Sequence, residues 1–237
     1  MKIVSIKTRI FKEKQNLIDF ITSHIKKIPE NSILVVTSKI VALSEGRTVK
    51  VKNEKEKDAL IKAESDFAMR TKYVWLTIKD GMVLASAGVD ESNADGKIIL
   101  LPKDSFKTAG ILRQQLLKYY KIKNLGIILS DSRLLPLRAG VVGVALGYAG
   151  FSGVRDYRGT KDIFGRVLKF SRTDIADSLA TSAVVCMGEG NECQPLCLIT
   201  DAPVVFKNKI NKNELTIDIK EDLYQPLFEK IKKIKLK

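Results

Sequence analysis

The sequence predicts an α+β fold in which mixed and antiparallel sheets pack against helices. Strand-like segments come in hairpins as often as they alternate with helices, which argues against a doubly wound sheet. Hydrophobic residues make up 45% of the 237-residue chain at a mean hydropathy of −0.03, enough to bury a sizeable core and too much for wholesale disorder. The longest apolar runs, such as Ile98–Pro102 and Leu125–Leu129, fall far short of the ~18–20 residues that cross a membrane. No repeat, low-complexity tract or flexible linker interrupts the chain, so residues 1–237 read as one unit.

Lys2–Ile6 reads as the first strand. Leu17, Ile18, Phe20, Ile21, Ile25 and Ile28 then recur at helical spacing, with Pro29 as the stop. Ser32–Thr37 is a buried strand running into a short helix at Ser38–Ser44, which Gly46 can cap in the left-handed conformation. Glu54–Arg70 reads as an amphipathic helix, charged early and apolar at Leu60, Ile61, Phe67 and Ala68. Tyr73–Ile78 and Met82–Ala87 flank Lys79-Asp80-Gly81, a hairpin signal. A polar loop, Ala87–Asn93, follows. Ser105–Tyr120 is a helix, and Leu125–Leu129 is a strand ending at Ser130-Asp131-Ser132. Gly140 to Gly153 carries five glycines among Val, Ala and Leu, the pattern of a close-packed strand or strand pair. Asp174–Met187 is a helix with an alanine-rich face, followed by Gly188–Asn191 and a strand at Leu196–Thr200. The tail reads as a strand, Glu214–Ile219, then a basic helix from Glu221.

Charge is the strongest compositional signal. Forty-one basic against 27 acidic residues leave +14, with a pI near 9.6. Such an excess draws polyanions such as nucleotides, acidic metabolites or nucleic acid. Lysine outnumbers arginine and the charges are scattered apart from the tail Lys230, Lys232, Lys233, Lys235 and Lys237, so a lysine-biased composition explains the excess equally well. Basic charge alone does not make this a nucleic-acid binder. The N-terminus has no apolar signal-peptide core, so the expected compartment is the cytoplasm, with no membrane partner.

Cys186, Cys193 and Cys197 are an odd set, and their spacing matches no common zinc pattern. They read as small apolar residues. His24 is the only histidine, which leaves no room for a His-based triad or a His-rich metal site. Any metal here needs carboxylates and hydroxyls, the ligands of Mg²⁺ or Mn²⁺. The chain has no P-loop, no Gly-x-Gly-x-x-Gly between strand and helix, and no Gly-x-Ser-x-Gly elbow.

What remains is a set of acidic positions, each placed just after a strand or helix. Asp90 is followed by Glu91, Ser92 and Asn93; Asp131 lies between Ser130 and Ser132; Glu189 sits between two glycines. Carboxylates with small neighbours suit hard cations that hold phosphates. Ordinary capping and turn chemistry favours the same residues at the same places. A further stretch, Arg155–Arg166, surrounds an aromatic pair and two glycines with basic side chains. It reads either as a solvated basic loop or as an anion-binding loop that grips phosphate or carboxylate through arginine forks.

In this order, these segments resemble the coenzyme F-420 gamma-glutamyl ligase family, whose relatives include folate gamma-glutamate ligases. The matching stretches are Val35–Val41, Ser44–Arg47, Ala87–Asn93, Gly126–Ser132, Arg138–Gly147, Arg155–Gly159, Phe164–Arg166, Ala176-Asp177 and Met187–Gly190. Coverage runs from about residue 3 to residue 200, and it is the register of the motifs that makes the match specific. The resemblance implies an intertwined homodimer and two divalent cations, Mg²⁺ or Mn²⁺, at Asp90, Asp131, Ser132 and Glu189. It places GTP or ATP at Ser38, Lys39, Asn93, Met187, Gly188, Gly190 and Asn191. Asp131, Arg138 and Arg155 are the catalytic candidates.

The activity it implies is the joining of L-glutamate to the carboxylate of a coenzyme F-420-0 or folate-type acceptor. A carboxylate is a poor electrophile, so it would first become an acyl phosphate, which the glutamate amine then attacks. The chain departs from the family at Arg133-Leu134-Leu135-Pro136-Leu137-Arg138, where Phe-Gly-Arg-Pro-Trp-Arg is usual. It also has Leu43 in place of a lysine, and Lys7-Thr8-Arg9-Ile10 in place of Gly-Ile-Pro-Leu. The lost aromatic is a stacking surface for a flat acceptor, which leaves deazaflavin and pterin as the two to compare. Two readings from other classes stand beside the ligase: a non-catalytic nucleotide- or nucleic-acid-binding protein on the same scaffold, and a metal-dependent phosphohydrolase.

Overall fold

A computed structural model describes residues 1–228. It shows an α+β architecture around one mixed five-stranded sheet. The chain begins with β1 (Lys2–Ile6), α1 (Leu17–His24), β2 (Ser32–Thr37) and α2 (Ser38–Ser44). The excursion that follows holds β3 (Thr48–Val49), α3 (Glu54–Ala63), β4 (Phe67–Arg70), β5 (Trp75–Lys79), β6 (Met82–Ala85) and β7 (Ile98–Ile99). Then come α4 (Ser105–Tyr120), β8 (Leu125–Leu134), β9 (Val141–Ala149), β10 (Val154–Asp156) and β11 (Arg172–Asp174). Last are α5 (Ile175–Met187), β12 (Leu196–Thr200) and the single turn α6 (Gln225–Phe228).

The main sheet runs β1-β12-β2-β8-β9. Only the β2–β8 pair is parallel, in a register from Ser32↔Leu125 to Thr37↔Ser130, and the other neighbours are antiparallel. Period-two alternation sorts the strand residues onto two cores. Leu34, Val36, Ile127 and Leu129 pack with Phe20, Ile21, Leu112 and Leu116 of α1 and α4. Ile33, Val35, Ile128 and Ile199 pack with Ala176, Ala180 and Ala183 of α5. The strands are buried on both faces, which is why β2 reads as an unbroken apolar run. Each such side chain taken out of water contributes roughly 1.5–3 kcal/mol.

β8 and β9 slip register between Leu129 and Ser130, so Gly147 faces Leu129 while Ala145 faces Ser130. This bulge turns β9 over: Ala149 joins the α1/α4 core, whereas Ala145 joins the α5 core. Beside it, the alanine face of α5 lies so close to β9 that a Cβ on Gly143 would sit 2.5 Å from the Ala180 carbonyl oxygen.

Four elements differ from the sequence reading. α1 ends at His24, and Ile25 is already extended; Ile25 and Ile28 keep their place in the core without helix. The expected helix at 54–70 stops at Ala63, and Phe67–Arg70 is β4, paired with Trp75–Lys79. Ser65 and Asp66, which favour turns, make the break. β8 does not end at Leu129 but runs on to Leu134, so Ser130, Asp131 and Ser132 are strand residues. Glu214–Ile219 forms turns instead of a strand, and the Glu214 carboxylate instead accepts hydrogen bonds at 2.6 Å from the Tyr148 hydroxyl and from the Gly153 N–H. Of the basic C-terminal helix, Gln225–Phe228 is helical and residues 229–237, with the terminal lysines, lie outside the described residues.

Of the three cysteines read as buried small apolar residues, Cys197 is buried while Cys186 and Cys193 are exposed. Two turn expectations match the structure. Asp80 and Gly81 both take positive φ, 51° and 73°, as a two-residue hairpin loop requires. Gly46, at φ 66°, follows the C-cap residue Glu45 of α2 while Arg47 N–H returns to the Ala42 carbonyl at 2.9 Å, the bond of a Schellman stop. Among the described residues no helix is long and apolar enough to cross a membrane.

Candidate active site

Parallel pairing of β2 with β8 sets Thr37 beside Ser130, so the first residue of α2 meets Asp131. The Ser38 hydroxyl donates to Asp131 Oδ1 at 2.8 Å. Asp90 is pinned differently, by a two-bond bridge to Ile99 of 3.0 and 2.8 Å. Its carboxylate accepts from the Ser92 N–H at 2.7 Å and lies 2.8 Å from Lys39 Nζ, which also donates to the Ser92 carbonyl and hydroxyl oxygens at 2.9 Å. Past the C-terminus of α5, Ser132 Oγ donates to Glu189 Oε1 at 2.6 Å, and Asn93 Nδ2 reaches the Gly190 carbonyl at 3.3 Å.

These groups line one cavity of about 1120 Å³. It gathers Ser38, Lys39, Asp90, Asn93, Asp131, Ser132, Met187, Gly188, Glu189, Gly190 and Asn191, positions scattered over the chain. Arg138 and Arg155 do not line it. Arg138 lies on the exposed β8–β9 turn, and the Arg155 guanidinium donates to the Pro203 carbonyl. The loop around Arg155 is folded on its own acids. Asp156 pairs with Arg158 at 2.6 Å and is held at about 2 by it, while Asp162 Oδ1 accepts from the Phe164 and Arg166 N–H groups.

Environment pushes the two aspartates apart. Burial raises Asp131 to about 6, aided by the nearby charge of Asp90 and opposed by the Ser38 hydroxyl and the Ser132 N–H. Burial raises Asp90 too, but the Lys39 ammonium and the Ser92 N–H outweigh it and leave Asp90 below the ordinary carboxylate value. Asp90 therefore has its counter-charge in the protein. Asp131 is hydrogen-bonded only by a neutral hydroxyl and a backbone amide and feels the Lys39 ammonium weakly, and would gain most from a cation.

The donors Asp90, Asp131, Ser132 and Glu189 are all oxygen, which fits a hard divalent ion and no thiophilic one. In the arrangement described, each carboxylate is engaged by its own hydrogen-bond partner, and no three His, Cys, Asp or Glu side chains among the described residues are gathered closely enough to hold an ion.

Sequence reasoning missed two contributions. Glu192 Oε2 accepts the Gly190 N–H at 2.8 Å, and its carboxylate lies where a Cβ on Gly188 (φ 80°) would be 2.4 Å away. Glu192 thus folds the Gly188–Asn191 loop back on itself; its only signal was an acid two residues after a Gly-Glu-Gly run. The cavity rim is the second. Arg9, Lys12 and Lys97 line it together with Glu13, which pairs with Lys97. Nothing in the spacing of residues 7–13 and 97 joins them; the fold does.

A model of the family described as F420-0:Gamma-glutamyl ligase matches residues 5–201. The chain is 36% identical over 231 residues to a protein of Methanococcus maripaludis named Coenzyme F420:L-glutamate ligase, covering 90% of this chain and 92% of that one. Proteins of the same name from Methanocaldococcus jannaschii and Archaeoglobus fulgidus are 33% and 28% identical over 228 and 208 residues. They cover 88% and 80% of this chain and 90% and 83% of their own lengths.

Proposed function

Because this chain belongs to the F420-0:Gamma-glutamyl ligase family, we propose that it forms an amide bond between the amine of L-glutamate and the carboxylate of a coenzyme F-420-type acceptor, driven by GTP or ATP. The observation that carries this reading is the convergence of Asp90, Asp131, Ser132 and Glu189 with Ser38, Lys39, Asn93 and the Met187–Asn191 loop on one cavity of about 1120 Å³. That volume exceeds the ~300–1,000 Å³ of ordinary small-molecule pockets and suits a nucleotide beside an acceptor.

In this proposal Asp90, Asp131, Ser132 and Glu189 hold divalent cations, Mg²⁺ or Mn²⁺, which when bound supply charge neutralisation for a triphosphate. Ser38 fixes the Asp131 carboxylate in place, and Lys39 holds Asp90 and adds positive charge of its own. Asn93 and Met187–Asn191 hold the nucleotide. The basic rim, Arg9, Lys12 and Lys97, draws polyanionic substrates into the cavity. The acceptor carboxylate takes the γ-phosphoryl group, the glutamate amine attacks the activated carbonyl, and phosphate leaves with its electron pair.

The chain acts as a homodimer in the same proposal. Leu134, Leu135 and Leu137 at the tip of the β8–β9 hairpin, and Ile163, Phe164 and Phe170 between β10 and β11, are exposed apolar side chains. Such surface marks association.

The test is phosphate release from GTP and ATP with Mn²⁺ or Mg²⁺ and glutamate, in the presence of a deazaflavin acceptor, a reduced folate, or neither. A product heavier by one glutamyl unit with the deazaflavin acceptor is expected. The same gain with folate alone would move the acceptor to the pterin class. Phosphate release indifferent to both acceptors would make the chain a phosphohydrolase, and no turnover at all would make it a binding protein.

A further inference from the structure

β8, β9 and the N-terminal half of α5 border a second, open cavity of about 480 Å³, lined by Arg133, Leu135, Val142, Asp177, Ser178 and Thr181 among others. Arg133 enters it directly after Ser132 of the larger cavity. Its Nε is buried without a hydrogen-bond partner, and the ion pairs formed among the described residues do not include it. Arginine stays protonated, so a half-buried guanidinium whose Nε has no partner calls for an anion.

The same lining also carries acceptors. Asp177 is a carboxylate, of which Oδ1 accepts the Ala145 N–H at 2.8 Å. The Ser178 hydroxyl donates to the Asp174 carbonyl and the Thr181 hydroxyl to the Gly143 carbonyl at 2.6 Å, which commits both protons to the backbone and leaves oxygen lone pairs towards the cavity. Lone pairs and a carboxylate suit an ammonium group. A cavity whose lining holds both a guanidinium with an unpartnered Nε and oxygen acceptors is matched by a zwitterion.

We propose that this cavity is the subsite for an α-amino acid, the L-glutamate co-substrate of the ligase reading on which this inference rests, with a carboxylate on Arg133 and the ammonium towards Asp177, Ser178 and Thr181. α5 spans both cavities, lining this one with Asp177, Ser178 and Thr181 and the larger one with Val184 and Met187. The competing partner for Arg133 is an acid from a second copy docking on the exposed Leu134 and Leu135. That contact would leave the acceptors unmatched, and the volume falls within the ~300–1,000 Å³ of small-molecule sites.

The experiment is calorimetric titration of the full chain with L-glutamate and with glutarate, which lacks the amine, for wild type, Arg133→Met, Arg133→Lys and Asp177→Asn. Light scattering and a melting curve accompany each protein. Wild type is expected to bind L-glutamate without acceptor, and Arg133→Met to weaken it by at least about tenfold, as loss of a charge-assisted contact does, with Arg133→Lys intermediate. Asp177→Asn is expected to weaken L-glutamate and leave glutarate unchanged. A wild type that does not bind L-glutamate, or a folded Arg133→Met that binds it as wild type does, overturns the subsite. Conversion of Arg133→Met to monomer with unchanged affinity gives Arg133 to the second copy instead and overturns it as well. The same preparations, assayed for ligation, separate the two readings. Ligation with an unchanged glutamate KM in Arg133→Met overturns the subsite alone. Arg133-dependent glutamate binding without ligation of either acceptor supports the subsite and overturns the ligase.

Discussion

Ser38 and Asp131 are 93 residues apart in sequence and 2.8 Å apart in the cavity, where the Ser38 hydroxyl donates to the Asp131 carboxylate. The contact exists because β2 and β8 pair in parallel through Thr37↔Ser130, which sets the first residue of α2 against the next residue of β8. A carboxylate held this way is oriented before any cation or substrate arrives.

Asp131→Asn should lower turnover by more than about 100-fold while leaving the melting temperature near that of wild type, because the substitution is isosteric and relieves a buried charge. Ser38→Ala removes only the orienting hydroxyl, and a loss of about 10–100-fold in activity or metal affinity is expected. Steady-state assays over a Mn²⁺ titration check both. Near-normal activity in Asp131→Asn would remove this carboxylate from the mechanism.

Glu64 carries a pH dependence that stands apart from the cavity. Its carboxylate lies 2.8 Å from both Lys79 Nζ and Arg47 Nη2. Burial pushes it up, but the Lys79 and Arg47 contacts outweigh that and hold it below its ordinary value of 4.5. A carboxylate depressed in the folded state stabilises above its unfolded pKa, and that stabilisation is lost as pH falls through the folded value. Glu64→Gln should therefore cost about 1–3 kcal/mol at pH near neutral, and the gap from wild type should close as pH drops below 4.5. Urea unfolding across that range measures it; a gap independent of pH would show that the ion pairs contribute nothing.

Gly143→Ala should be destabilising by about 1–3 kcal/mol or more. The new Cβ would meet the Ala180 carbonyl oxygen at 2.5 Å and Val184 Cγ2 at 2.7 Å, and a helix backbone packed on a sheet has little freedom to retreat. Thermal melts give the size, at about 2–4 °C per kcal/mol for a chain of this length.

Leu137→Asp should convert the proposed dimer to monomer. Leu137 stands fully in solvent at the hairpin tip and contributes nothing to the protomer core, so the substitution leaves the protomer fold intact. Light scattering over a dilution series tests this, and an unchanged particle mass would place the interface elsewhere.

Much of the architecture was legible from local chemistry alone. The unbroken apolar runs of β2, β8 and β12, the Asp104-capped helix at Ser105–Tyr120 and the Asp80-Gly81 turn each declare themselves through side chains near in sequence. The acidic positions were legible too, since Asp90, Asp131 and Glu189 stand out among small polar neighbours. Local signals failed where a distant partner decided the outcome. Phe67–Arg70 looked helical but had a strand to pair with. Glu214–Ile219 looked extended but had no neighbouring strand, and a buried tyrosine hydroxyl claimed its carboxylate.

By itself the sequence determined which residue types can do chemistry here. With one histidine and an excess of acids after strands, only carboxylate and hydroxyl donors were available. The tertiary structure decided which of them meet. It brought Ser38 to Asp131 and Ser132 to Glu189, tied Lys39 to Asp90, left Arg138 and Arg155 outside the cavity, and buried the Arg133 Nε without a partner. The reason is that hydrophobic periodicity is set by neighbours a few residues away, whereas the distance between two charged groups, and so the pKa of each, is set by strand register and burial across the whole chain.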